Sequence, residues 1–173
     1  MDTWIAPPAN RVPEPRTGPE RAMLQGWLDW HRQTLLTKCA GLTAEQLRTA
    51  SAPPSDLTLL GLVRHMSQVE RSWFRFRAAG DRTALMIYTL NDNENSDFDD
   101  VATADPAADL ATFTDECAAA DAAVASLALD HEFSTARGTI SVRWVYLHMI
   151  EEYARHNGHA DLLRERVDGA TGA

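Results

Sequence analysis

The sequence predicts an all-α protein built as a four-helix bundle, and three observations carry that reading. Four stretches repeat apolar residues at three- and four-residue steps. Prolines, glycines and small polar capping residues stand at their ends. Their lengths suit a bundle, and the long connection between the second and third leaves room for a crossover.

Four of the eight prolines fall within residues 1–18, and a fifth follows at once as Pro19. Proline lacks an amide donor and disfavours helix at the residue before it, so this segment reads as an extended arm ahead of a single domain, 19–169. The first helix is expected over 19–40, with Pro19 in its first turn and Met23, Trp27, Trp30 or His31, and Leu35 as its stripe. Gly41 ends it, and Thr43 and Gln46 are spaced as a capping box for a short turn. Pro53 and Pro54 break the chain, and Ser55 or Asp56 can cap the second helix. Leu59, Leu62, Val63, Met66, Val69, Trp73 and Phe76 form its stripe, and Gly80 closes it.

Residues 81–105 read as a long connection. "ALMIYTL" suits a short strand or extended piece. "NDNENSDFDD" lacks the glycine and the final glutamate of a calcium loop and reads as a solvated loop. The third helix is expected over 106–129, alanine-rich, with Asp105 as cap and Pro106 in its first turn. A turn with an extended segment, "DHEFSTARGTI", leads to the last helix, 142–167, which Gly169 stops.

The 173 residues are enough for one domain, and 45% hydrophobic and 24% charged residues are ordinary for a globular chain. A net charge of −9 argues against nucleic acid and against an anionic membrane surface. No run approaches the roughly 18 apolar residues of a membrane span, and the N-terminus does not read as a signal peptide. Cys39 and Cys117 lack paired spacing and read as reduced core residues of a cytoplasmic protein. Trp27, Trp30, Trp73 and Trp144 read as core, and His131 as solvent-facing.

The last helix carries the chemistry. At about 100° per residue, His148, Glu152, His156 and His159 fall within about 80° of arc, with Val145 and Leu163 among them. Trp144, Val145, Leu162 and Leu163 are expected to bury both ends of this face. A buried charge must be paired, neutralised or metal-bound. Glu152 and His156, four apart, project roughly 6 Å from each other and can share one ion; His156 and His159, three apart, can do likewise. His65, flanking the second helix's stripe, is the best third ligand. Two histidines and one glutamate leave open positions, the pattern of a catalytic metal site. On a wet face the same residues would simply pair with Arg155 and each other. His31 and His148 are either core residues or donors to a ligand carboxylate.

Two stretches, "LTLLGLVRHMSQVERSWF" and "EEYARHNGHADLLRE", resemble the DinB-like superfamily. The likeness is nearest its actinobacterial mini-circle branch of domains of unknown function, and it extends to the mycothiol-dependent maleylpyruvate isomerases. The resemblance implies an up-down-down-up bundle with a divalent metal (Zn, Ni or Fe) held at the positions of His65, Glu152 and His156. His159 stands one position short of a further histidine common in the superfamily.

The resemblance further implies a low-molecular-weight thiol of the mycothiol type, an electrophilic small-molecule substrate, and S-transfer or isomerisation. Related bundles pair as homodimers. In such a reaction the metal lowers the thiol's pKa, and His148 or His159 would move protons. The competing expectation is a non-enzymatic stress or binding protein with a structural metal or a metal-free polar core.

Overall fold

The structure, a computed structural model, describes residues 4–88 and 95–172. It is mostly helical, with one small antiparallel sheet among the described residues. Helix α1 spans Glu20–Cys39 and buries Leu28, Arg32, Leu35 and Cys39. Of the expected stripe His31 and Leu35 are buried, while Leu28 takes the place of Trp27. Trp27 is exposed and meets Trp30 edge-on at 6.0 Å, because α1 is turned to bring Arg32 inward rather than Trp27.

Helix α2, Ala44–Arg48, has the expected capping box: Gln46 N–H donates to Thr43 Oγ1, and Thr43 N–H donates to Gln46 Oε1. Helix α3, Leu59–Glu70, starts later than expected. Its cap is Thr58, whose hydroxyl oxygen accepts from Gly61 N–H at 2.9 Å, not Ser55 or Asp56. From Arg71 to Ala78 the helix widens into π-geometry, a rare form that tends to occur at functional sites. Gly80, at φ 70°, then turns the chain in the left-handed region.

The connection that follows is less loop-like than its composition suggests. Residues 84–88 form no strand, and 89–90 lie outside the described residues. Leu85 and Met86 are exposed, while Ala84 and Tyr88 are buried. Of the acidic stretch, 91–94 lie outside the described residues, but α4, Ser96–Asp99, is helical and buries Ser96 and Asp97. The solvated-loop expectation fails there, because Arg64 donates to the Ser96 and Asp97 carbonyls and ties the turn to α3.

Helix α5, Pro106–Val124, is capped by Asp105, which accepts from Ala107 N–H at 2.9 Å. It ends five residues before the expected limit. Strands β1, Glu132–Thr135, and β2, Gly138–Ser141, pair antiparallel with Glu132 opposite Ser141 and Thr135 opposite Gly138. The extended segment is therefore a complete hairpin. Helix α6, Val142–Asp168, starts at the Ser141 cap and stops at Gly169, φ 80°.

Helix α6 packs on α1, and α5 packs on α3 and its π-segment, while α3 bridges the two pairs. The core between them holds Leu28, Leu62, Met66, Phe74, Phe113, Tyr146, Met149 and Tyr153. Residues 4–18 contain no helix. Ala6 exchanges backbone hydrogen bonds with Gly41 and Leu42, and Pro15 packs so closely on α1 that a Cβ at Gly26 would lie 2.6 Å from its ring. Cys39 and Cys117 are both free thiols. No helix among the described residues is long and apolar enough to cross a membrane.

Candidate functional site

Helix α6 does not bury the face that the ionisable residues share. Its buried side runs through Val142, Val145, Tyr146, Met149, Tyr153, Asn157, Ala160 and Leu163. His148, Glu152, His156 and His159 line the edge of that side, half-buried. Trp144 is 41% exposed and Leu162 61%, so neither buries an end of this face as expected. The helix sits rotated toward α1, which carries Tyr153 and Asn157 into the core and leaves the histidines at the boundary with α3.

Across that boundary stands His65 of α3, its ring centroid 4.9 Å from that of His156. His65 Nδ1 lies 2.8 Å from Asp97 Oδ2, and its ring stacks on Phe98 at 4.9 Å. Asp97 is 4% exposed. A carboxylate on one ring nitrogen fixes the tautomer and turns Nε2 away as a free acceptor, the arrangement that orients metal-bound histidines. Asp97, the partner that orients His65, is not among the site residues expected from the sequence.

His156 Nε2 lies 3.5 Å from Glu152 Oε2, and the His159 ring lies 5.5 Å from His156. Nδ1 of His156 and Nδ1 of His159 are buried with no hydrogen-bond partner among the described residues. Burial, then the neighbouring His65, pushes His156 down to about 4, while Glu152 opposes the shift. His156 is therefore neutral at pH 7, with the lone pair of one ring nitrogen to offer. A buried polar atom without a partner costs free energy. Such an atom beside an oriented His65 fits a ligand set awaiting a divalent ion.

His148 lies one turn earlier. It is stacked on Trp144, centroids 4.8 Å and planes 16° apart, and meets Trp73 edge-on at 4.7 Å. Trp73 packs against the core and also against His148, whereas Trp144 is exposed and covers the face of that ring. His148 Nε2 is 3.7 Å from Glu152, and Nδ1 is 3.8 Å from Glu151. Among the described residues, one group of three has ligand atoms all within 4.8 Å of one another, and it is His148, Glu151 and Glu152. The set of His65, Glu152 and His156 is less tightly gathered. Glu152 belongs to both.

The other histidines lie apart from this face. His31 is buried on α1, where Asn157 Nδ2 donates to its carbonyl at 3.1 Å and approaches its ring Nδ1 at 3.3 Å. Burial alone lowers its pKa. It is a core histidine and no partner of Glu152. His131 is exposed.

Beside His65 a cavity of about 190 Å³ opens, lined by Gln68, Val69, Ser72, Trp73, Met86 and Phe98 among others. It adjoins the one face where histidines, a glutamate and aromatic walls converge.

A family model described as mycothiol-S-transferase matches residues 23–169. No curated protein matches the chain, and no solved structure does.

Proposed function

The chain belongs to the mycothiol-S-transferase family, and from that premise we propose that it joins a mycothiol-type thiol to an electrophilic small molecule. We place a divalent metal at His65, Glu152 and His156. The carrying observation is the pairing of His65 Nδ1 with buried Asp97, 4.9 Å across from a His156 ring whose Nδ1 has no partner.

A divalent cation held there would supply the Lewis acidity that turns a thiol into a thiolate near neutral pH. Asp97 accepts a hydrogen bond from His65 Nδ1–H and so leaves Nε2 as the ring's ligating atom. Burial keeps His156 neutral, the form that ligates. The His148 ring packs against both Trp73 and Trp144, and His148 takes the proton that the thiol releases. His159, with its orphaned Nδ1, is a second acceptor on the same helix. No nucleophile of the protein is required, and burial pushes the Cys39 thiol up to about 12, away from reactivity.

The same reading takes α1, α3, α5 and α6 as an up-down-down-up four-helix bundle, one domain over 19–169 with residues 1–18 as an arm. It places the protein in the cytoplasm as a homodimer.

One observation favours a second position for the metal: the closer gathering of His148, Glu151 and Glu152. Against it, Glu151 is exposed and already engaged by Arg155.

The test is mycothiol conjugation to an electrophile by protein purified without chelator. Activity that is lost in His65→Ala and His156→Ala, and restored by added metal only in the wild type, is the expected result. Full activity in both variants, or none in the metal-loaded wild type, overturns the proposal.

A further inference from the structure

The hollow beside His65 is two-sided in chemistry. Val69, Trp73, Met86 and Phe98 make it apolar and partly aromatic. His65, Asn95 and Asp97 also line it, and on its remaining polar residues, Gln68 and Ser72, an accepting oxygen is already engaged. Gln68 Oε1 accepts from Tyr88 N–H at 3.1 Å, so Gln68 has its NH2 donors left to offer. Ser72 Oγ accepts from the Arg77 guanidinium, so its O–H is left to donate. Arg77 itself lies over the Trp73 ring, 4.7 Å from the centroid, and adds positive charge behind the serine. Two adjacent helical turns thus turn donors toward an apolar space.

We infer that this hollow recognises the electrophile as a one-ring conjugated carbonyl compound, its ring against Trp73, Met86 and Phe98 and its oxygen toward Ser72 and Gln68. The inference rests on the S-transfer reading and names the substrate class for it. The size fits: a cavity of roughly 150 Å³ lined by apolar side chains holds benzene, and this one is about 190 Å³.

The chemistry fits as well. The thiol sulfur bonds to the β-carbon while the C=C electron pair shifts toward the carbonyl oxygen. The negative charge that develops on that oxygen is what preorganised donors stabilise. The thiol proton, taken by His148, returns to the α-carbon. No group leaves, and nothing is oxidised or reduced overall. Ser72 and Gln68 are then substrate-contacting residues that act more strongly in the transition state than in the ground state.

Binding without thiol tests the recognition directly. Protein labelled with 13C-methyl methionine is titrated with acetophenone, and with α-methylstyrene, which has the same shape but no oxygen. The expected result is a saturable shift of the Met86 methyl with acetophenone. Ser72→Ala should weaken acetophenone three- to tenfold, about one neutral hydrogen bond, and leave α-methylstyrene unchanged. Met86 is exposed enough for Met86→Trp to fold, and filling the mouth should abolish both shifts.

Mycothiol conjugation then follows for 2-cyclohexen-1-one, an addition, and for iodoacetamide, a displacement. Both variants should lower kcat/KM for cyclohexenone by a larger factor than for iodoacetamide, with Ser72→Ala acting mainly on kcat. Conjugation of both electrophiles with an unshifted Met86 methyl overturns the inference and leaves S-transfer standing. A Ser72-dependent acetophenone shift with no conjugation of either electrophile overturns S-transfer and supports recognition by the hollow.

Discussion

Helices α3 and α6 carry two polar clusters, and they are built on opposite terms. On the core side, Arg32 donates to both Glu70 oxygens at 2.8 Å, and Tyr153 O–H donates to Glu70 at 2.7 Å. Arg32 also reaches Asp29 and Asp121 at 2.9 Å. Glu70 is 0% exposed, and its carboxylate is satisfied by charge and by geometry. On the other side, His65, Glu152, His156, His148 and His159 approach one another with loose distances, two orphaned nitrogens and an open cavity beside them. A closed network of this kind stabilises and specifies the fold, whereas an unsatisfied one marks a place built for something else. Residue type alone does not separate the clusters, since each mixes acidic and basic side chains. Completeness of pairing does.

The largest effect should come from breaking the complete cluster. Arg32→Met leaves Glu70 buried without its cation and should destabilise the fold by about 3–5 kcal/mol in urea unfolding. A loss under about 1 kcal/mol would show that the network is not the closed unit described. The histidine cluster should respond in the opposite way. Asp97→Asn should weaken metal binding about 10- to 100-fold by titration, because the His65 tautomer is no longer held. Unfolding of the metal-free variant should stay near that of the metal-free wild type. An unchanged affinity would remove Asp97 from the site.

A smaller effect separates a third group from both, the buried Glu116 with its half-buried partners Arg71 and Arg75. Burial opposes ionisation of Glu116, yet hydrogen bonds and charge from Arg71 and Arg75 outweigh it and hold its carboxyl below the usual glutamate value. A carboxyl lowered on folding adds stability above its unfolded pKa and loses it as pH falls through the folded one. Glu116→Gln should therefore reduce stability at pH 7 and flatten its decline below about pH 4.5. An unaltered acid limb would assign that decline to other carboxylates. Smallest of all, Leu162→Ser should change stability by no more than about 0.5 kcal/mol, as expected of a surface position. A loss near 2 kcal/mol would restore Leu162 to a buried face, in this chain or in an assembly.

Much of this arrangement was legible in the sequence, and the misses have physical causes. Helix limits marked by chemistry were readable: the Thr43–Gln46 box, the Asp105–Pro106 start and the Gly169 stop each depend on local hydrogen bonds or on a positive φ. Rotation about a helix axis was not. Leu28 and Trp27 are 100° apart, and only the position of Arg32 against Glu70 decides which faces inward. The same limit put Leu162 and Trp144 on the wrong side. His65 and His156 were legible as neighbours because each sits beside a stripe on its own helix. Asp97 was not, because it lies in an acidic stretch that reads as solvated, and only Arg64 holding the turn brings it inside. The π-segment after Glu70 was not legible either, and it buries Phe74 and Ala78 where an α-helical stripe would run through Trp73 and Phe76.

The central claim is that His65, Glu152 and His156, and not His148, Glu151 and Glu152, form the metal set. Calorimetric titration of chelator-stripped protein with Zn2+ or Ni2+ decides between them. The account predicts one site per wild-type chain, lost in His65→Ala, His156→Ala and Glu152→Gln, and retained in His148→Ala and Glu151→Gln. Binding that survives His65→Ala and His156→Ala but disappears in His148→Ala would contradict it.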